Sequence, residues 1–209
     1  MAKLYFRYGS VGSAKTLNLL AVAHNYRQQG KKILLLKPLL DSRFGAEKIK
    51  SRSGLETKAD ILLKADSDLF KHNYDGVSCV LVDEAQFLSS TLIDQLREIA
   101  TNFNIPVICY GLRSDFRTHL FEGSRRLFEL ADAIEEVKST CHYCNKKAIM
   151  NLKHVEGKPT IEGASIDLGA EEKYFPTCFN CYQEKLELAG LSVLEHNDST
   201  IPPTPLKAA

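Results

Sequence analysis

The chain predicts an α/β protein on a parallel sheet, followed by a small β-rich module. Three observations predict this. Apolar runs of strand length alternate with stretches of helical periodicity from Leu4 to Val137. Two of the runs, Ile33-Leu34-Leu35-Leu36 and Val80-Leu81-Val82, are apolar without alternation, as in strands covered on both faces. From Cys141 the character changes to short, turn-rich segments.

The elements follow in order. Leu4 to Tyr8 reads as the first strand. Thr16 to Gln29 reads as a helix with Leu17, Leu20, Ala21 and His24 on one face and Gly30 as its stop. Lys32 to Pro38 is a buried strand, and the polar stretch from Asp41 to Asp60 reads as loop. A short helix is expected over Asp66 to Asn73, then a strand over Ser78 to Val82. Ser89 or Ser90 caps a helix running to Phe103, with Leu92, Ile93, Leu96 and Ile99 spaced for one face. Pro106 to Leu112 is a strand, Glu122 to Ala131 a helix, and Ile134 to Val137 a further strand. Ala148 to Leu152 and Thr160 to Glu162 suggest small hairpins, and Glu184 to Leu188 a short final helix. The tail from Asn197 carries Pro202, Pro203 and Pro205 and is expected to be disordered. The expected division is 1–138 for the α/β domain, 139–195 for the small lobe and 196–209 for the tail.

A hydrophobic content of 44% in 209 residues supports a real core. A formal net charge of +1 argues against a large footprint for nucleic acid or an anionic membrane. The basic clusters, such as Lys48-Ile49-Lys50 and Arg125-Arg126, are short and read as solvated faces. No apolar run approaches the ~20 residues of a membrane helix. Met-Ala-Lys leading into a strand does not read as a signal peptide. A cytoplasmic protein is therefore expected.

The most informative segment is Gly9-Ser10-Val11-Gly12-Ser13-Ala14-Lys15-Thr16. A strand precedes it and a helix follows, which is how a P-loop is built. Backbone N–H groups and the helix N-terminus there attract a polyphosphate. Lys15 would face the β- and γ-phosphates, and the Thr16 hydroxyl a Mg²⁺ ion. Ala14 stands where the motif has glycine, so a methyl group points toward the phosphate position. The bland alternative is an ordinary strand-turn-helix corner. The second motif is Val80-Leu81-Val82-Asp83-Glu84, an apolar strand ending in carboxylates. Asp83 suits the same Mg²⁺. Glu84 suits proton removal from the nucleophile that attacks the γ-phosphate, whether water or a substrate hydroxyl. On its own, the pair could equally be two solvated acids at a strand end.

Six cysteines complete the set. Cys79 and Cys109 lie inside apolar strands and read as small core residues. Cys141-x-x-Cys144 and Cys178-x-x-Cys181 have the form of two zinc knuckles, 33 residues apart, and together make a four-cysteine zinc site. The alternatives are a redox C-x-x-C or buried free thiols.

These motifs, taken in order, resemble the zinc-containing cytosolic thymidine kinases. Further markers are Asp83-Glu84-Ala85-Gln86-Phe87, the stretch from Tyr110-Gly111-Leu112 through Asp115-Phe116 to Leu120-Phe121, and Tyr174 before the second knuckle. The resemblance runs from Leu4 to Cys181. It implies a RecA-like P-loop NTPase core with a small zinc-bearing β-rich lobe, whose lasso loop closes over the nucleoside. It also implies ATP-dependent phosphorylation of thymidine at the 5′-hydroxyl to give dTMP.

By that resemblance Glu84 is the catalytic base, and Gly9 through Thr16 with Asp41, Ser42, Arg43, Asp83 and Gln86 form the ATP site. Phe116 stacks on the base, and Ser165, Ile166, Asp167, Leu168 and Gly169 with Tyr174 form the lasso side of the nucleoside site. Leu112 and Asn151 lie near the base. Zinc sits on Cys141, Cys144, Cys178 and Cys181, and magnesium on Thr16 and Asp83. A homotetramer and feedback inhibition by dTTP are implied as well. Ala14 and Ala170 depart from the family's glycines. The rival readings are a P-loop ATPase whose zinc lobe binds nucleic acid, and a catalytically weak nucleotide-binding homologue.

Overall fold

A computed structural model describes residues 1–41, 45, 47–164 and 173–193. Its centre is a six-stranded, all-parallel sheet. The strands are β1 (Leu4–Tyr8), β2 (Lys32–Pro38), β5 (Ile61–Leu63), β6 (Val77–Val82), β7 (Val107–Gly111) and β8 (Ala133–Glu136). They lie in the order β5-β2-β6-β7-β1-β8. The hairpin strands β3 (Lys48–Lys50) and β4 (Glu56–Lys58) form a separate two-stranded sheet.

The non-alternating runs have a clear explanation in the packing. Ile33, Leu35, Cys79, Leu81 and Ile108 point to one face, where they meet Leu19, Leu20 and Ala23 of α1 (Lys15–Gln28). Leu36, Val80, Val82, Val107 and Cys109 point to the other, against α2 (Ser90–Asn102) and α3 (Glu122–Leu130). Successive strand residues thus enter opposite layers, and every one is apolar because both faces are covered. Burial pushes the Cys79 thiol up to about 11 and raises that of Cys109 as well, so neither is a ready nucleophile. The Ser89 hydroxyl caps α2 by accepting from the Leu92 N–H at 3.4 Å.

Three local expectations change within the α/β part. The buried face of α1 is Lys15, Leu19, Leu20 and Ala23, while Ala21 and His24 are exposed. The register of the face is set by the angle at which the helix meets the sheet, and a weakly amphipathic sequence leaves that angle open. Residues 66–73 form only a single 3-10 turn, Leu69–Lys71, capped by Asp68. The stretch read as loop contains the β3–β4 hairpin and leads directly into the edge strand β5; three-residue strands are too short for periodicity to reveal.

The small lobe holds β9 (Met150–Val155), β10 (Lys158–Thr160) and β11 (Tyr174–Thr177) in the antiparallel order β10-β9-β11. Helix α4 (Phe179–Leu188) packs on it through Tyr182 and Leu186, which join Leu152 in a separate small core. The helix begins five residues earlier than its apolar pattern suggested, because Cys178 serves as its N-cap. Among the described residues no helix is long and apolar enough to cross a membrane. The tail expected from Asn197 onward lies outside the described residues.

Candidate active site

The turn after β1 begins with a close approach. A Cβ on Gly9 would stand 2.4 Å from the Ser13 hydroxyl and 2.5 Å from the Val137 carbonyl, so only glycine fits. The corner then closes through the Ser13 N–H to the Ser10 carbonyl at 3.3 Å. Ala14 ends it in the left-handed region, at φ 62° and ψ 26°, and α1 starts at Lys15. The Lys15 ammonium folds back over the turn, donating to the Ser10 carbonyl at 2.7 Å and the Ser13 hydroxyl at 3.3 Å. It is thus held against the turn itself.

The carboxyl end of β6 faces this corner. The Thr16 hydroxyl lies 3.2 Å from each carboxylate oxygen of Asp83. Glu84 follows in the left-handed region at φ 50° and ψ 38°. A non-glycine residue so placed costs of order 1–3 kcal/mol and concentrates at functional sites. Its carboxylate accepts from the Gln86 amide at 2.5 Å, and the other end of that amide accepts from the Leu112 N–H at 3.1 Å. Gln86, 2% exposed, therefore ties Glu84 to the start of the loop after β7. Glycine at 111 permits this, since a Cβ there would meet the Gln86 side chain at 2.7 Å.

These groups share one cleft of about 300 Å³. Val11, Gly12, Ser13, Ala14, Lys15, Thr16, Asp41, Asp83, Glu84, Gln86, Phe116 and Tyr174 line it, with Leu112 and Asn151. Gly9 and Ser10 lie behind the corner instead; the Ser10 hydroxyl is bonded to that of Ser139 at 2.7 Å. Ser42, Arg43 and Ser165, Ile166, Asp167, Leu168 and Gly169 fall outside the described residues, as does Ala170. Asp41 is brought in by a buried ion pair: the Lys37 ammonium lies 3.1 Å from its carboxylate and also donates to the Lys48 carbonyl at 2.8 Å. That lysine thereby joins the end of β2 to the β3–β4 hairpin.

The hairpin supplies residues that sequence reasoning missed. Lys50, Ser51, Arg52 and Ser53 line the cleft. The Arg52 guanidinium reaches the corner, 3.7 Å from where a Gly12 Cβ would be. Their only signal was two basic residues and a glycine within a stretch too short to show periodicity.

The far wall belongs to the β7–α3 loop and the small lobe. Phe116 is 1% exposed, with the Lys153 ammonium 4.7 Å and the Arg117 guanidinium 5.1 Å from its ring centre. Tyr174 approaches it at 6.2 Å between ring centres. The Asp115 carboxylate accepts from the Arg117 and His119 N–H groups, both at 2.9 Å, and so shapes this loop. Asn151, on β9, spans the cleft. Its carbonyl accepts from the Val11 N–H at 2.8 Å and its amide donates to the Ser114 carbonyl at 3.0 Å. One side chain thus braces the P-loop against the loop that carries Phe116.

The four knuckle cysteines come together away from this cleft, with all their Sγ atoms within 4.8 Å of one another. The Cys144 and Cys178 sulfurs are 3.7 Å apart. A tetrahedral zinc with Zn–S bonds of ~2.3 Å needs S···S edges of roughly 3.8 Å, so the donor set fits that ion. The Tyr143 and Lys146 N–H groups point at the Cys141 and Cys144 sulfurs, at 3.4 and 3.5 Å. Burial raises the Cys141 thiol, but backbone hydrogen bonds from Cys178, Tyr143 and Cys144 outweigh it and bring the group down to about 7.

A glycine-bearing corner at the head of a parallel strand, opposed by an acidic strand end, defines the class of P-loop nucleotide-binding proteins. Comparison with known proteins narrows the class. Residues 2–182 match the thymidine kinase family. The chain is 46% identical to a thymidine kinase of Lactobacillus acidophilus over 189 residues, spanning 85% of this chain and 94% of that one. It is 44% identical to that of Lactiplantibacillus plantarum (87% and 96%) and 43% identical to that of Streptococcus pyogenes (87% and 97%). The chain belongs to the thymidine kinase family, and within it to the type that carries a four-cysteine metal site.

Proposed function

We propose that this protein transfers the γ-phosphate of ATP to the 5′-hydroxyl of thymidine, giving dTMP. The carrying observation is the convergence of the P-loop corner and the Asp83–Glu84 strand end in one cleft, with Phe116 and Tyr174 on the wall beyond. Phosphoryl transfer needs positioning and charge neutralisation more than covalent chemistry. The corner N–H groups and Lys15 hold the triphosphate. Arg52 adds a charge from the hairpin. Thr16 and Asp83 would hold a magnesium ion, which neutralises charge on the phosphate oxygens when bound.

Glu84 accepts the proton of the attacking hydroxyl. Gln86 orients it by hydrogen bonding one carboxylate oxygen. Phe116, Tyr174 and Asn151 bound the nucleoside, and the family resemblance adds residues 165–169 to its site. The cysteine site would hold zinc as a structural ion, tying Cys141 and Cys144 to the start of α4. Cytoplasmic location, a homotetramer, inhibition by dTTP and the division at residues 138 and 195 form part of the same reading and rest on the family.

A coupled assay tests it. ADP should form only when thymidine is present with ATP and Mg²⁺. Phosphate release at the same rate without thymidine would instead identify an ATPase. Glu84→Gln should lower kcat by ~10²–10⁴-fold while leaving both substrates bound, since only proton removal is lost. A rate within a few-fold of the parent would remove Glu84 from the role of base.

A further inference from the structure

The cysteine cluster and the nucleoside wall meet at one side chain. Tyr182 directly follows Cys181 in the first turn of α4, whose N-cap is Cys178. It is 1% exposed and packs in the small core with Leu152 and Leu186. Its hydroxyl, buried at the end of that packing, donates to the backbone carbonyl of Phe116 at 2.5 Å. Phe116 lies 66 residues earlier in the chain, in the β7–α3 loop, and lines the cleft. Successive helix residues project about 100° apart. One flank of the first turn of α4 therefore faces the thiols, and the adjacent flank reaches the loop.

We propose that Tyr182 is a positioning residue for the nucleoside, conveying the geometry of the four-cysteine site to the backbone of Phe116. A helix anchored at Cys178 and Cys181 has a set rotation about its axis, and that rotation sets where the tyrosine hydroxyl stands. The hydroxyl in turn fixes the peptide from which the Phe116 ring projects. The structural metal site thereby takes part in recognition of the acceptor, without touching it, and leaves the phosphate donor alone. The Lys15–Thr16 side of the cleft is built on β1 and α1, outside the small lobe that carries Tyr182. This inference rests on Phe116 bounding the nucleoside subsite.

Tyr182→Phe in the zinc-loaded, full-length protein isolates the hydroxyl, because the ring that fills the small core is kept. Zinc content, thermal midpoint, KM for each substrate and calorimetric affinity for thymidine are read together. A buried carbonyl that loses its donor should weaken thymidine binding about five- to tenfold. Zinc should stay at one per chain and the KM for ATP within twofold. Phe116→Ala, measured alongside, separates the two ideas. If Phe116→Ala weakens thymidine binding and Tyr182→Phe does not, the positioning role is overturned. Loss of zinc, or an equal rise in both KM values, overturns it too, because the hydroxyl would then serve the metal site or the fold at large. If Phe116→Ala leaves thymidine binding unchanged, the assignment of the nucleoside wall itself fails.

Discussion

Ala14→Gly examines the corner proposed above to hold the triphosphate. Ala14 sits at φ 62° and ψ 26° as the N-cap of α1, with no side-chain cap. The left-handed conformation costs an L-residue about 1–2 kcal/mol, which glycine escapes. Glycine also frees the unfolded chain, offsetting about 0.4–1 kcal/mol of that gain. The net expectation is a stabilisation of about 0.5–1 kcal/mol. For a chain of this size that raises Tm by about 1–4 °C. The assay is a thermal melt followed by circular dichroism, without nucleotide, beside the steady-state KM for ATP. The corner already holds its geometry with the methyl in place, so KM should change by less than about threefold. An unchanged or lowered Tm would refute the conformational argument. A tenfold fall in KM at constant Tm would refute it differently, by locating the methyl's cost in a clash with bound phosphate. Ala14→Val should lower Tm by several degrees, since a β-branched residue is still less tolerant of positive φ.

Three more outcomes follow from the same geometry. Asn151→Leu removes the partner of both the Val11 N–H and the Ser114 carbonyl, at about 1–3 kcal/mol; KM should rise for ATP and for thymidine together, and a rise for only one substrate would contradict its bracing of both loops. Lys37→Met breaks the buried pair with Asp41 and should cost about 3 kcal/mol by denaturant titration; Asp41→Asn in the same background should restore part of it, and failure to do so would sink the pairing argument. The Asp132 carboxyl is held below its usual range by the Leu4 N–H, reinforced by Arg97. A lowered folded pKa stabilises above the unfolded value of about 3.9 and is lost as pH falls through the folded value. Asp132→Asn should therefore be less stable by about 1 kcal/mol at pH 7, with the gap narrowing as pH falls below about 4; a gap that does not narrow at all as the pH is lowered would refute it.

The legible part of the site was local. The P-loop corner is eight consecutive residues, and Asp83–Glu84 ends an apolar strand, so both can be read along the chain. The knuckles were legible because metal ligands impose a fixed short spacing. The Arg52 hairpin was not, because strands of three residues carry no period. Nor was the tie from Gln86 to Glu84, or from Asn151 to Val11, since an amide in a sequence says nothing of its partner. The buried face of α1 was misjudged for a related reason, as its pattern alone does not choose the angle at which it lies on the sheet.

By itself the amino-acid order determined which groups the chain could bring to a site: a glycine-bearing strand-turn-helix corner, two adjacent acids, four thiols and a doubly covered sheet. Those follow from short-range covalent spacing and from apolar runs, which act within a few residues. Only tertiary structure decided that Gln86 would reach the Leu112 N–H, that Asn151 would cross the cleft, and that a tyrosine beside the thiols would reach Phe116. Those contacts join segments tens of residues apart. They exist because burying the apolar faces of the sheet and of the small lobe leaves their polar groups no other partners.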